Sequence, residues 1–357
     1  MLDSAGGPFA TVEYHDPHYY LKHQLFWLTI AIPAGLVVLL FVDYHLIKKY
    51  AMVLWITAIL LLVAVLIAGY EVKGARRWLR IAGFSFQPSE FAKLACINGI
   101  CAWFTNYRNK ANSFFHGFVI PLLIIGFPVL LILAEPDVGN SALIILAGMT
   151  VMFFAGTRLV YLIVTGLLAG IGLTIVLWLD PARWARILAF LFPEMAPNAA
   201  YQLEQAKKAF AAGGLWGRGY LNSIQKYFFL PEAHNDFILP IIAEEMGLVG
   251  SMFVILMFVG ILICGLLIAS RTRDDFGKLL AFGITVTLIL QAVINIGVVT
   301  GCLPTKGLPL PFVSYGGSNL LMSVISICLL MNIAFRTEPT PQELEGESIA
   351  RDMLYRP

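Results

Sequence analysis

Apolar runs long enough to cross a bilayer recur nine times in these 357 residues. They lie at about 24–42, 51–70, 88–105, 117–134, 140–156, 159–179, 237–269, 277–300 and 314–335. A spanning helix needs roughly 17–25 such residues, and inside hydrocarbon a helix satisfies every backbone polar group from within its own segment. The predicted fold is therefore all-α, a polytopic membrane helix bundle of about nine transmembrane helices. Composition agrees: 59% of residues are hydrophobic and 13% charged, against about 25% charged in a soluble domain. The 31 glycines and 18 prolines also suit membrane helices, which tolerate both residues. The run at 237–269 would reach roughly 50 Å as one straight helix at about 1.5 Å per residue. A bend or projection is expected near Gly247 and Gly250.

An odd number of crossings puts the termini on opposite sides. Lys and Arg in short loops favour the cytoplasm, whereas long loops are largely exempt from that bias. With the long segment 180–236 left out, eleven cations fall on the side of 43–50 and the C-terminal tail, and six on the other. The first side is thus read as cytoplasmic and 180–236 as a long extracytoplasmic loop. Residues 1–336 form one membrane domain, and 337–357 form a solvated, disordered cytoplasmic tail rich in Glu. The first twenty residues lack an apolar core, so no cleavable signal peptide is expected.

Several functions lose support at this level. Net charge is +2, too small a basic field for a nucleic-acid partner. No Walker motif, dinucleotide fingerprint or Ser-His-Asp order occurs. Five cysteines without a CxxC pair suggest small buried hydrophobes rather than disulfides or zinc ligands. His234 has no second histidine or cysteine at ligand spacing, so no metal is assigned to it.

Ionisable residues inside membrane helices are costly and default to functional hypotheses. Glu90 and Lys93 stand three apart at a helix start, on one face, either as a structural ion pair or as substrate contacts. Glu135-Pro-Asp137 interrupts two apolar runs; it caps a turn or, by its ExD spacing, holds a divalent cation. The stretch LPEAHNDFILPIIAEEMGLVG (230–250) brings Asp236 to a helix mouth, with Glu244 and Glu245 roughly 12–14 Å deeper. Asp236 is then an ordinary N-cap or a proton acceptor at the membrane surface. Arg76, Arg77 and Arg80 collect in one outward loop, and Arg218 and Lys226 in another. That clustering points to an anionic ligand. GLPLPFVSYGGSNLL (307–321), with Ser314, Gly316 and Gly317, could shape a groove by close backbone approach.

These motifs resemble those of the SEDS family (shape, elongation, division and sporulation), which includes FtsW, RodA and SpoVE. The resemblance rests on GARRWLRIAGFSFQPSEFAKL (74–94), EPDVG (135–139), AYQLEQA (200–206), GGLWGRGYLNSIQKYFFLPEAHNDFI (213–238), AEEMGLVG (243–250), NIGVVTG (295–301) and GLPLPFVSYGGS (307–318). Gln225-Lys226 before Leu-Pro-Glu looks like the FtsW or SpoVE pattern. The family implies a peptidoglycan glycosyltransferase that polymerises lipid II into a nascent glycan strand at the outer face of the bacterial cytoplasmic membrane. Its partner is a class B penicillin-binding protein. By resemblance Asp236 is the catalytic base on the acceptor 4-hydroxyl, and undecaprenyl pyrophosphate leaves with inversion. Arg76, Lys93, Arg218 and Lys226 become candidates for the pyrophosphate, and Glu90 an organiser of Lys93. Trp78, Asp137, Gln202, His234, Glu244, Glu245, Ser314, Gly316 and Gly317 become supporting residues. A divalent cation (Mg or Mn) at the pyrophosphate is left open.

The chain departs from the family's ten helices, and Glu135 stands where Gln is usual. Residues 1–6 resemble the end of the family's first helix, which implies a helix upstream. A lipid II flippase and a non-catalytic divisome scaffold are the rival readings.

Overall fold

The computed structural model describes residues 1–72, 75–81, 84–227 and 229–337. The tail expected at 337–357 lies outside the described residues except for Thr337. The described helices are α1 (Leu2–Tyr14), α2 (Tyr19–Phe41), α3 (Tyr44–Lys49), α4 (Ala51–Ala68), α5 (Pro88–Asn106), α6 (Ile120–Ala134) and α7 (Val138–Phe154). They continue with α8 (Leu159–Trp178), α9 (Pro181–Leu191), α10 (Pro197–Gly213), α11 (Ile238–Arg271), α12 (Asp275–Val299) and α13 (Gly317–Thr337).

A long helix stands on each of the nine apolar runs. Seven of the described helices are long and apolar enough to cross a membrane, α6 together with the π-helical turn Phe115–Val119 that leads into it. The other two differ for visible reasons. Helix α7 has 17 residues, and α5 buries Glu90, Lys93 and Asn98 within its apolar sequence.

Three features modify the expected all-helical picture. Residues 2–14 already form a helix. The charged segment between α4 and α5 folds into a three-stranded antiparallel sheet, β1 (Tyr70–Val72), β2 (Ala75–Ile81) and β3 (Phe84–Phe86). Glu71 faces Arg76 and Leu79 faces Phe86 across its ladders, and the Arg80 guanidinium lies 4.7 Å from the Tyr70 ring centroid. The expected loop 180–236 contains α9 and α10. Asp180 starts α9 by accepting from the Ala182 and Arg183 amides, the usual service of an aspartate at a helix N-terminus.

The bend expected in the longest run occurs at Gly247, whose φ of 67° and ψ of −164° interrupt α11. A second segment of chain crosses the break and completes its hydrogen bonds. Arg218 N and Gly219 N donate to the carbonyls of Glu244 and Glu245, while Leu248 N and Val249 N donate to those of Gly214 and Leu215. Only glycine fits at Gly247, because a Cβ would lie 2.3 Å from Leu215 O in a left-handed backbone. Irregular backbone at membrane depth is tolerated where protein covers it in this way.

The largest buried cluster joins α4, α5, α6, α7, α12 and α13, with Leu62, Ile97, Ile125, Ile144, Leu280 and Ile333 at its centre. A smaller one gathers Ala5, Ala206, Leu230, Phe237, Ile238 and Val299 around the start of α11. That second cluster seats the site. Cys96 and Cys101 are buried as expected, but Cys264 and Cys302 are exposed. Their sides of α11 and of the loop after α12 are not covered by protein.

Candidate active site

Residues 230–237 lead into α11 as a run of turns clamped from several sides. Gln202 on α10 donates to Pro231 O at 3.0 Å. The His234 ring stacks on Tyr20 at 4.1 Å between centroids, and Tyr315 N donates to His234 O at 3.0 Å. Ser314 Oγ donates to Asn235 O at 2.6 Å. Asn295 Nδ2 on α12 donates to Asp236 O at 2.8 Å and to Leu308 O at 2.7 Å. Four elements, α2, α10, α12 and the 307–317 loop, therefore converge on one short segment.

Asp236 itself is half-buried. The N-cap of α11 is Phe237, so Asp236 stands one residue outside the helix and is not the N-cap that the sequence allowed. Its carboxylate lies against Gly307, where a Cβ would come within 2.6 Å of Oδ2. The loop therefore passes beside Asp236 because residue 307 has no side chain. Lys306 precedes that glycine. Burial holds the Lys306 ammonium below its ordinary value; Asp137 opposes the shift and Arg183 reinforces it.

Gly317 starts α13 against the Trp27 indole, with room for no Cβ. Gly316 N donates to Gln24 Oε1 at 3.4 Å. Trp78 lies in β2, paired with Tyr70. These contacts hold the 307–317 loop and the sheet over the same end of the bundle.

The other carboxylates fall into three separate arrangements. Glu90 and Lys93 form a buried ion pair of 2.8 Å, and Lys93 Nζ also donates to Gln291 Oε1 at 2.7 Å. Gln291 in turn bonds Pro309 O and Asn319 Oδ1. The pair thus ties α5 to the loop before α13, as an organised Lys93 would require. Asp137 caps α7, accepting from Asn140 N and Nδ2 and from Gln87 Nε2. Both Asp137 oxygens are thus engaged by Asn140 and Gln87. Among the described residues no group of three or more His, Cys, Asp or Glu side chains could hold a metal ion.

Glu244 and Glu245 bind the 214–226 segment. Glu244 accepts from Ser223 Oγ, Ile224 N and Gln225 N, and Arg218 Nη1 lies 3.4 Å away. Glu245 pairs with Lys226 at 3.0 Å and accepts from Ser4 Oγ on α1. Lys226 is only 2% exposed and also donates to Ser4 and to Leu221 O. Its expected contact with pyrophosphate is corrected: the ammonium is enclosed and already neutralised. Arg218 stays 40% exposed. Arg76 is exposed on β2, at the mouth of a cavity with Glu71 and Glu135.

Sequence reasoning passed over Lys306, Arg183, Gln291 and Asn295 as site residues. Gln291 and Asn295 are amides four apart in an apolar run, hence on one helix face. That spacing was the available signal.

Fold and site together define a multi-pass helical membrane protein with an acidic centre at the mouth of a broken helix. A family profile described as "Cell cycle protein", spanning FtsW, RodA and SpoVE, matches residues 1–338. The chain belongs to this family. It is 39% identical over 339 residues to a protein of Geobacter sp. (strain M18) named probable peptidoglycan glycosyltransferase FtsW, covering 94% of this chain and 92% of that one. A protein of the same name from Saccharophagus degradans is 40% identical over 343 residues, covering 94% and 87%. Among solved structures, a chain described under "Structural coordination of polymerization and crosslinking by a peptidoglycan synthase complex" superposes with a TM-score of 0.76 at 24% identity, covering 95% and 96%. The rod shape determining protein RodA of Thermus thermophilus superposes with 0.67 at 23%, covering 95% of each chain.

Proposed function

We propose that this chain is a peptidoglycan glycosyltransferase that polymerises lipid II at the extracytoplasmic face, with Asp236 as the general base. The names of its FtsW relatives support the reaction class. The observation that carries the assignment to Asp236 is its clamp: a half-buried carboxylate at a helix mouth, with its backbone carbonyl held by Asn295 and its Oδ2 facing Gly307.

In the proposed step the acceptor 4-hydroxyl gives its proton to the Asp236 carboxylate. Its oxygen bonds to C1 of the donor as the bond from C1 to the pyrophosphate oxygen breaks. The configuration inverts, and undecaprenyl pyrophosphate departs as the anion. The adjacent helix N-terminus lowers the basicity of a carboxylate. Phe237, next to Asp236 in the chain, and Leu308, next to Gly307, are both buried. The departing charge needs cations rather than an acid. Lys306, next to the glycine against Asp236, is the best set of these, with Arg183 beside it. Arg218 retains exposed surface, whereas Lys93 and Lys226 act by positioning. The partner is proposed to be a class B penicillin-binding protein, as the "polymerization and crosslinking" of the structural relative's complex suggests.

The test is glycan-strand synthesis from lipid II by purified protein and partner in vesicles. Asp236→Asn is expected to fold and bind its partner normally while losing about 10²–10⁴-fold in polymerisation. Polymer formed at the unmutated rate would overturn the assignment. Movement of labelled lipid II across the vesicle without polymer would favour a flippase.

A further inference from the structure

Beyond the Asp236 site, the turn after α6 carries an unexplained group. Glu135 is 1% exposed, and neither carboxyl oxygen has a hydrogen-bond partner. Arg77, a cation beside this turn, is engaged with backbone: Nε donates to Glu135 O at 3.1 Å and Nη2 to Pro136 O at 2.6 Å. A buried carboxyl left this way is costly unless neutralised by a proton or a counter-charge.

Glu135 lines a cavity of about 280 Å³ together with Glu71, Arg76, Leu66 and Ala134. That volume equals roughly nine waters at ~30 Å³ each. Its depth is defined by the fold. Leu66 is near the end of α4 and Ala134 ends α6, and both helices are candidate spans. The sheet residues Glu71 and Arg76, opposite one another in register, form its other wall. The cavity therefore lies where two spans leave the hydrocarbon, at the level of lipid headgroups.

We infer that this cavity is a binding site for a zwitterionic phospholipid headgroup, the Arg76 guanidinium taking the phosphate and the Glu135 and Glu71 carboxylates taking a primary ammonium. Two carboxylates and one guanidinium match one ammonium and one phosphate in sign and arrangement. An ammonium also gives the Glu135 oxygens the donors they lack. Burial first and Asp137 second push the Glu135 carboxyl up to about 8, with Arg77 opposing; a bound ammonium would favour its ionised form.

The inference is tested by native mass spectrometry of the full chain in detergent. Phosphatidylethanolamine and phosphatidylglycerol of identical acyl chains are titrated in parallel. The wild-type chain should retain the ethanolamine lipid about tenfold more strongly, and Glu135→Gln should abolish that preference with an unchanged circular dichroism spectrum. Arg76→Gln should weaken both lipids alike, since both carry the phosphate. Soluble phosphoethanolamine should compete with the lipid only weakly if the acyl chains anchor it. Equal retention of the two lipids would overturn the inference, as would a preference that survives Glu135→Gln. A Mn²⁺ ion bound in this cavity and lost in Glu135→Gln would also overturn it.

Discussion

Gly307 and Glu135 illustrate two ways in which one residue decides the local chemistry. At 307 the missing Cβ lets the loop meet Asp236, so Gly307→Ala introduces a contact of 2.6 Å with Oδ2. Either the carboxylate rotates or the loop withdraws, and a misplacement of about 1 Å at a reacting group can cost on the order of 10²-fold. The expected result is a large fall in polymerisation rate with an unchanged thermal unfolding midpoint; an unchanged rate would show that Asp236 does not work from this position. At 135 the effect is on stability. The unfolded carboxyl ionises near its ordinary 4.5, whereas the folded one holds its proton to about 8. Between those values the unfolded state releases a proton that the folded state keeps, so stability falls as pH rises. Glu135→Gln lacks this loss. In lipid-free protein the variant should match wild type at pH 4.5 and exceed it by on the order of 3–5 kcal/mol above pH 8. Unfolding curves that run parallel across that range would exclude a buried acid at 135.

Helix α11 depends on a piece of chain that is not helical. The segment 214–226 supplies amides and carbonyls to the break at Gly247, and Glu244 and Glu245 fasten it from within. Lys226 and Ser4 extend the fastening to α1. Removing one member of a buried ion pair strands the other, at a cost of about 3–5 kcal/mol. Lys226→Met should therefore destabilise the chain by about that much, and adding Glu245→Gln should recover a large part of it. A double variant no better than the single one would mean that Lys226 acts through packing instead. The bend was legible beforehand, because a run of that length with Gly247 and Gly250 could not remain straight within one bilayer. The segment that completes the bend was not legible. Nothing local in GGLWGRG (213–219) says that its backbone will pair with residues thirty positions on. The sheet at 70–86 was hidden for a similar reason: clustered arginines read as a ligand patch before they read as the exposed face of a strand.

At the scale of the molecule, the two buried clusters divide the work. The larger one joins six helices, with single residues of α3, α8 and α11, through small and branched residues, and its packing within the membrane relies on close contact rather than on release of water. The smaller one carries the Asp236 segment, which consists of turns held by hydrogen bonds from α10, α12 and the 307–317 loop and by the stack of Tyr20 of α2 on His234. Apolar periodicity located the nine long helices to within a few residues, since span length is set by the bilayer. From the residues alone Asp236 was an N-cap or a proton acceptor; the role of base proposed for it came from the resemblance, since an aspartate before a helix is by itself an ordinary event. Sequence reasoning misjudged Lys226, because whether a cation faces a ligand or an internal carboxylate depends on contacts distant in sequence. This division makes opening unequal across the fold. Hydrogen exchange should be slowest in α5, α7 and α12 and faster by several orders of magnitude in 220–236, with one exception inside the irregular region. The amides of 218, 219, 248 and 249 cross the Gly247 break and should exchange as slowly as helix interiors. If they exchange with the surrounding loop, the break in α11 is not locked, and Asp236 is carried on a mobile mouth rather than a fixed one.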